Sequence, residues 1–353
     1  MPKLMRPSPP APAFAPPYPP SAFDRFTHWV DLLPLPAWMT YAGLALTGAA
    51  VMAALRLTGA IEPSSDYTDF VSVVQPWFAF GFMHYLDRMA GAALDATRPL
   101  LRPSRREQAA LRYRLTTLPA GPVRWALVIG AILWVGVAAG APPIAFGPSV
   151  RTPLGLAASA VAGALNITLF PVFVVHSWHQ LRRIHDVLTR HVNADLFDIR
   201  PLYSFSNVTA LTACVWIVSG AAWFFFSQPT GAAIGVEIIW TAFDAVLAPA
   251  VLFLYPLWGI HRLLGQRKAQ ALAEVSRRKQ EAYARLHLVL DRGRSAAVDA
   301  VHKGLAALEM EAADLRRIPT WPWSPGTPRG VFAAILLPIT VWLIQFGLQR
   351  LLG

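Results

Sequence analysis

Residues 154–178 read LGLAASAVAGALNITLFPVFVVHSW, and this stretch decides the fold class. It contains no Asp, Glu, Lys or Arg. It also exceeds the roughly 20 residues that a helix needs to cross a hydrocarbon core about 30 Å thick. Lipid offers no hydrogen-bonding partners, so a backbone that crosses it must satisfy its own amides and carbonyls, as an α-helix does. The stretch therefore predicts a transmembrane helix.

Six further apolar runs lie on either side of this stretch, at residues 35–57, 70–94, 123–141, 208–226, 234–257 and 331–352. The run at 70–94 is the weakest, because polar and charged residues interrupt it. Composition supports the same class, since 14% of the residues are charged, against about 25% in a soluble domain. The mean hydropathy is +0.41. The sequence therefore predicts an all-α membrane protein with about seven transmembrane helices.

The positive charges alternate with these runs, and the alternation predicts the orientation. Basic residues gather on every second connection, whereas the connections between hold almost none. Cytoplasmic loops carry the excess of Lys and Arg, so the N-terminus is expected in the cytoplasm, near anionic lipid, and the C-terminus outside. The net charge of +11 is never gathered into one basic domain, which argues against a nucleic-acid partner. The Ala-, Arg- and Pro-rich composition suggests a bacterial inner membrane.

Composition also divides the chain into regions. Nine prolines in the first twenty residues predict an extended, disordered tail, and four prolines between residues 319 and 328 predict a stiff linker. The expected regions are the tail at 1–27, a six-helix transmembrane region at 28–261, a cytoplasmic helical hairpin at 262–318, a Trp/Pro-rich linker at 319–330 and a final transmembrane helix at 331–353.

The hairpin prediction rests on apolar residues that repeat with alternating steps of three and four. In the second half of the segment these residues are Val298, Val301, Leu305, Leu308, Ala312 and Leu315. That spacing is typical of a coiled-coil seam. Gly293 supplies a turn between the halves, and Ser295 supplies a helix N-cap. An antiparallel coiled-coil hairpin follows, with a surface on which a cytoplasmic partner can bind.

Two acids stand within the sixth run, where an ionisable side chain costs about 2.5–3.5 kcal/mol on insertion scales. Glu237 and Asp244 are seven residues apart and share a helical face, with Thr241 between them. Gln345 is a polar residue of the last run. These four residues are the candidates for an ion pathway. In the alternative interpretation, Glu237 reaches the outer interface and Asp244 bonds to another helix.

Three histidines lie near the ends of two runs that meet the cytoplasmic side. His84 belongs to the second run, and His176 and His179 lie at i and i+3 at the end of the fourth. Facing histidines at matched depth can ligate a b-type haem or a metal ion. In the alternative interpretation the histidines near His179 are solvated in a basic segment, and no cofactor binds.

The sequence carries no nucleotide-binding, hydrolase or metalloprotease motif, which argues against an enzyme. The neighbours Asp87 and Arg88 are interpreted as an ion pair, with phosphate binding as the alternative. The leading hypothesis is a homo-oligomeric ion channel or channel-like sensor. The alternatives are a membrane scaffold or signalling module that recruits a cytoplasmic partner through the hairpin, and a b-type haem protein.

The last run contains Leu343-Ile344-Gln345-Phe346 and follows a long cytoplasmic helical segment. In this respect, and in its seven spans, the chain resembles insect gustatory and odorant receptors. The resemblance implies a tetrameric cation channel with the last helix lining the pore. Pro338-Ile339 replaces the Thr-Tyr pair expected upstream. The channel hypothesis rests on the polar spans and not on this resemblance.

Overall fold

The computed structural model describes residues 15–61, 67–101, 104–140, 152–193, 196–226, 247–292, 295–324, 326–336 and 340. Every regular element in these residues is a helix, and no β-strand forms there. The helices are α1 (Ala22–Leu32), α2 (Ala37–Leu57), α3 (Thr68–Ala96), α4 (Arg105–Thr116), α5 (Ala120–Gly140), α6 (Pro153–Asp186), α7 (Tyr203–Phe226), α8 (Ala248–Asp291) and α9 (Ser295–Arg317). Residues 326–336 are also helical. The predicted all-α class is confirmed for the described part of the chain.

Four described helical stretches are long and apolar enough to cross a membrane, namely Ala37–Leu57, Ala120–Gly140, Pro153–His191 and Arg200–Trp223. Helix α5 shows the surface that they offer to lipid. Its side chains Trp125, Ile132 and Val135 are 70%, 65% and 64% exposed. A row of exposed apolar side chains is unfavourable in water and suits a lipid environment. The fold is therefore that of a multi-pass helical membrane protein.

Helix α3 lies at the centre of the bundle, where it contacts α2, α6 and α7. Its side chains Met83, Leu86 and Ala90 are completely buried. The polar residues that lower its hydropathy are buried too, since His84 is 5% exposed and Asp69 is 8% exposed. These polar groups meet protein partners instead of lipid, so a helix of low hydropathy is tolerated at this position.

Helices α5 and α6 approach each other closely at Gly130. A Cβ atom built on Gly130 would lie 2.6 Å from the Cα atom of Thr168, so a larger residue does not fit. Small residues permit such backbone contact between membrane helices. The contact fixes α6, which carries His176 and His179.

The start of the chain differs from the extended tail predicted for residues 1–27. Helix α1 already begins at Ala22, because Ser21 and Asp24 form a capping box. The preceding residues are held as well. The hydroxyl of Tyr18 donates to the Thr117 carbonyl at 2.8 Å, and the hydroxyl of Tyr113 donates to the Tyr18 carbonyl at 2.7 Å. Residues 1–14 lie outside the described part.

Helices α8 and α9 pack against each other in opposite directions. Val275 of α8 clusters with Ala312 and Leu315 of α9. The Nζ atom of Lys268 donates to the carbonyls of Arg316 and Ile318, each at 2.7 Å. Helix α8 is continuous through residues 261 and 262, so the predicted boundary between membrane region and hairpin falls inside one helix.

The residues predicted to form the hairpin seam are buried to different degrees. Leu305 and Leu315 are 6% and 2% exposed, whereas Val298, Val301 and Leu308 are half-buried. Burial of this kind needs only two packed helices, and a supercoiled seam with interlocking side chains is a stricter arrangement. The coiled coil therefore stays a prediction.

Aromatic rings hold the linker against α8. The ring of Trp321 stacks on His261 with the ring centroids 3.9 Å apart, and it also stacks on Trp323 at 4.3 Å. The Trp323 ring stacks in turn on Phe253 at 5.4 Å. The linker therefore joins α9 to residues 326–336 with its two tryptophans packed on α8.

Candidate functional site

Polar residues cluster at the end of α3 that packs on α1 and α6. His84, Asp87 and Arg88 project from adjoining faces of α3, since they are spaced at i, i+3 and i+4. The ion pair predicted between Asp87 and Arg88 is wrong. Arg88 binds Asp31, and Asp87 binds His176. Consecutive helical residues point about 100° apart, so these neighbours do not face each other.

Asp87 is held by two side chains of α6. Its Oδ1 atom lies 3.0 Å from His176 Nε2 and accepts a hydrogen bond from Gln180 Nε2 at 2.9 Å. His176 and Gln180 are four residues apart and therefore share a face of α6. The His176 side chain is 1% exposed and that of Asp87 is 14% exposed. The pair is therefore almost sealed from the surroundings.

Two atoms of this group are left without a partner among the described residues. They are His176 Nδ1 and Gln180 Oε1, both buried. A buried polar atom without a hydrogen bond costs roughly 1–3 kcal/mol, so each of these two atoms would gain from a water molecule or another polar group that bonds to it. Carboxylate–histidine pairs inside membrane helices are typical of proton relays.

A second carboxylate–histidine pair lies beside the first and is more open. Asp31 of α1 lies 3.2 Å from His84 Nε2, and Arg88 Nη2 donates to the same carboxylate at 2.5 Å. The other ring nitrogen, His84 Nδ1, lies 3.1 Å from the hydroxyl of Tyr41. Asp31 is 38% exposed and Arg88 is 60% exposed. This pair is therefore accessible from outside the bundle.

The Tyr41 ring reaches His84 because the facing residue of α3 is a glycine. A Cβ atom built on Gly81 would lie 3.2 Å from Cγ of Tyr41, closer than most side chains approach. The glycine thus lets the ring lie flat against α3. In this position the buried phenol can bond to the imidazole, as a buried hydroxyl requires.

Helix α1 closes the cluster from the side. The carboxylate of Asp24 accepts hydrogen bonds from the Ser21 and Leu118 amides, at 2.8 Å and 3.2 Å. The Phe23 ring packs against His176 with the centroids 6.0 Å apart. Burial raises the pKa of the Asp24 carboxyl, and the hydrogen bonds from Ser21 and Leu118 offset part of that effect. Helix α1 therefore places two carboxylates, Asp24 and Asp31, beside the histidines.

Buried polar groups continue along α3 away from this cluster. Gln75 donates to the Ser219 carbonyl of α7 at 3.2 Å and accepts from Asn166 of α6 at 3.3 Å. At the far end Asp69 forms a buried ion pair with Arg56 of α2 at 2.7 Å. Asp69 and Asp87 are separated by roughly 27 Å at about 1.5 Å per residue. Helix α3 thus carries buried polar groups at several levels over a length close to a hydrocarbon core of about 30 Å, and these groups face different neighbouring helices.

The three histidines predicted to bind a cofactor share no common partner. His84 and His176 bind different carboxylates, and His179 Nε2 bonds to the Arg114 carbonyl at 3.0 Å. Among the described residues no three His, Cys, Asp or Glu side chains are grouped to hold a metal ion. Haem binding therefore stays a prediction without support from these contacts.

The four residues predicted for an ion pathway, Glu237, Thr241, Asp244 and Gln345, lie outside the described residues.

Sequence reasoning missed the roles of Asp31, Tyr41 and Gln180. The i and i+4 spacing of His176 and Gln180 is a local signal that points to a shared partner. Asp31 and Tyr41 give no such signal, because their partner is distant in sequence.

Comparison of the chain with protein-family models, with curated proteins and with solved structures finds no match. The function is therefore argued from the geometry of the site.

Proposed function

We propose that the chain is a channel-like membrane protein that conducts protons, with Asp87 and His176 as the groups that bind the proton in transit. The observation that supports this most is the buried His176 ring. One of its nitrogens faces the Asp87 carboxylate at 3.0 Å, and the other has no partner in the described part of the chain. An imidazole can take a proton on one nitrogen and release it from the other, near neutral pH.

The polar and titratable groups around Asp87 suit this role. Gln180 and His176 face it from α6, Asp24 approaches from α1, and His84 precedes it on α3. The open Asp31–His84 pair offers a proton entry on one side. Gln75 and its partners supply hydrogen-bonding groups on the other side. Asp and His side chains inside membrane proteins act as proton relays, and such a relay passes a proton without passing a larger cation.

The orientation is part of the proposal. Seven spans, a cytoplasmic N-terminus, an outside C-terminus and a cytoplasmic coiled-coil hairpin agree with the distribution of Lys and Arg and with the unbroken run of α8 into the hairpin. The cluster then lies at the cytoplasmic side of a bacterial inner membrane. Reporter fusions after Gly293 and Gly353 test this, since the first should be cytoplasmic and the second not. Two fusions in the same compartment would contradict it.

The function is tested by proton flux into liposomes that contain a pH-sensitive dye. A potassium gradient with valinomycin supplies the driving potential. We expect flux above that of protein-free liposomes for the natural chain, and a loss of at least roughly tenfold for Asp87→Asn, because the amide keeps the shape and loses the titrating group.

The matched control is Asp95→Asn on the same helix. Asp95 is 45% exposed and pairs with Arg112 at the surface, so its removal should leave flux unchanged. The proposal fails if the natural chain conducts no protons, or if Asp87→Asn inserts normally and conducts as well as the natural chain.

A second function, recruitment of a cytoplasmic protein by the hairpin, has one observation in its favour. Near the tip the apolar side chains Tyr283, Leu288 and Leu290 are 46%, 55% and 53% exposed, outside the seam. Exposed apolar groups in water are typical of contact surfaces. A photo-crosslinking residue at Leu288 should capture one defined protein, and the same residue at exposed His302 should not. The captured protein can also be a second copy of the chain.

A further inference from the structure

A groove runs between α2 and α3 on the outside of the bundle, with a volume of about 690 Å³. Ala42 and Ala45 of α2 line it and keep it open, since larger residues at these positions would fill the space. Its other walls are aromatic, with Trp77, Phe78 and Phe82 among the lining residues. Sites for small ligands have volumes of roughly 300–1,000 Å³ and walls of this composition.

One end of the groove is polar. Arg88, His84 and Tyr41 line it there, next to the Asp31 carboxylate. The ion pair of Arg88 with Asp31 engages the terminal nitrogen Nη2 of a guanidinium that has five N–H donors. The side chain is 60% exposed, so the rest of the guanidinium can bind a second oxyanion.

The same end has the aromatic residues typical of a membrane interface. Trp38 of α2 and Tyr85 of α3 are 69% and 50% exposed and line the groove beside Arg88. Exposed Trp and Tyr favour the level of the lipid headgroups. The apolar part of the groove then lies at the depth of the acyl chains, and Arg88 lies at the depth of the phosphates.

We propose that this groove is a binding site for one phospholipid. One acyl chain lies between α2 and α3 against Ala42, Ala45 and the Tyr41 ring, and the phosphodiester binds the Arg88 guanidinium. Arginine binds phosphate through two parallel hydrogen bonds. A lipid that contacts only apolar side chains of a helix makes no such bonds, so the Arg88 contact favours binding at this groove. The site goes beyond the proposed function, and it does not depend on proton conduction.

Native mass spectrometry of the full chain in detergent tests the acyl-chain part of the site. The protein is delipidated and titrated with dioleoylphosphatidylglycerol, and the number of retained lipids is counted. Ala42→Trp should remove one tightly held lipid by filling the groove. The control is Ala50→Trp, because Ala50 is exposed on the same helix and does not line the groove. Equal retention in both variants would overturn the proposal.

A second pair of variants tests the headgroup contact and leaves the groove unfilled. Arg88→Gln should weaken binding of the lipid roughly tenfold, in line with one lost charge-assisted contact. Arg98→Gln should have no effect, since Arg98 is 67% exposed, pairs with Asp95 and lies outside the groove. The Arg88 result decides the matter if Ala42→Trp does not fold.

Two further probes distinguish a phospholipid from a lipid without phosphate and from free inorganic phosphate. Dioleoylglycerol, which lacks phosphate, should bind the natural chain about as weakly as the phospholipid binds Arg88→Gln. Inorganic phosphate alone should not bind at millimolar concentration, because it lacks the acyl contact. Strong binding of dioleoylglycerol, or of inorganic phosphate, would contradict a phospholipid site. These measurements use no ion flux, so they stand or fall separately from the proton proposal.

Discussion

Ion pairs on the hairpin and in the membrane cluster differ in their surroundings. On α8, Glu274 pairs with Arg277 and Arg278, and Glu281 pairs with Arg277, with every side chain at least 41% exposed. In the cluster Asp31 pairs with His84 and Arg88 at the open edge, whereas Asp87 faces a histidine that is 1% exposed. The hairpin pairs are therefore far less shielded from solvent than the pair at Asp87.

The difference teaches that burial, and not the number of ion pairs, decides what a pair contributes. Exposed pairs typically contribute about 0–1 kcal/mol, because water screens them and the long side chains lose freedom. A buried group that loses its partner pays its full desolvation cost, typically about 3–5 kcal/mol. The effect of a substitution is therefore expected to decrease from the buried Asp87–His176 pair to the exposed ion pairs of Glu274.

The largest effect is expected for Asp87→Leu. This change leaves His176 and Gln180 without their shared partner, and we expect the free energy of unfolding to fall by about 3 kcal/mol or more. Asp87→Asn should cost much less, because the amide oxygen still accepts a hydrogen bond. Unfolding in mixed detergent micelles measures both variants. Equal losses for Leu and Asn would show that the hydrogen bonds of Asp87 do not matter for stability.

Next in size is Leu315→Ala in the hairpin. Leu315 is 2% exposed and packs against Val275, so the cavity should cost about 2–4 kcal/mol in local stability. Hydrogen exchange of the α9 amides measures this. Leu290→Ala, at a position that is 53% exposed, should change exchange little. Similar exchange in the two variants would contradict a packed hairpin.

A smaller effect is expected for Tyr41→Phe. The change removes the hydroxyl that lies 3.1 Å from His84 Nδ1 and leaves the ring packed on Gly81. We expect a loss of about 1 kcal/mol in the free energy of unfolding, the usual contribution of one hydrogen bond. The comparison with Asp87→Leu is direct, since both are measured in the same micelles. A loss as large as that of Asp87→Leu would contradict the prediction that the contact of His84 with Tyr41 contributes less to stability than the contact of His176 with Asp87.

The smallest effect is expected for Glu274→Gln, which should lower the unfolding midpoint only slightly, because water screens this exposed carboxylate. Hydrogen bonds from Arg277, and then from Arg278, lower the pKa of Glu274 from 4.5 to about 2. A lowered pKa means that any contribution of this carboxylate is present above pH 4.5 and is lost as the pH falls through about 2. Carboxyl NMR shifts across that range measure the titration. A titration midpoint of Glu274 near the ordinary value would show that its ion pairs with Arg277 and Arg278 do not form in solution.

The sequence predicted the long apolar helices and the opposed contact of α8 and α9, because both depend on local periodicity, but it did not predict the short helices α1 and α4. The apolar steps of α9 alone place Leu305 and Leu315 on the buried side. The sequence also singled out His84 and His176 as polar groups at the ends of two spans. It offered a haem or metal site beside the alternative that no cofactor binds, because nothing local showed that each histidine already has a carboxylate.

The carboxylate partners were not predictable in the same way. Asp31 and His84 are 53 residues apart, and Asp87 and His176 are 89 residues apart. Both pairings depend on how whole helices are placed. Asp31 also falls between the tail predicted for residues 1–27 and the first apolar run at 35–57, so no local pattern placed it on a helix. The capping box at Ser21 and Asp24 starts a helix there.

The unbroken course of α8 has a mechanical consequence. The tryptophans of the linker clasp this helix at His261, and from there to Asp291 it extends roughly 45 Å at about 1.5 Å per residue. A stiff rod held near one end amplifies motion at the other. A tilt of about 5° at the clasp would carry the tip through roughly 4 Å over that length. Small rearrangements among the membrane helices would thus become displacements of several ångströms at the far end of α8.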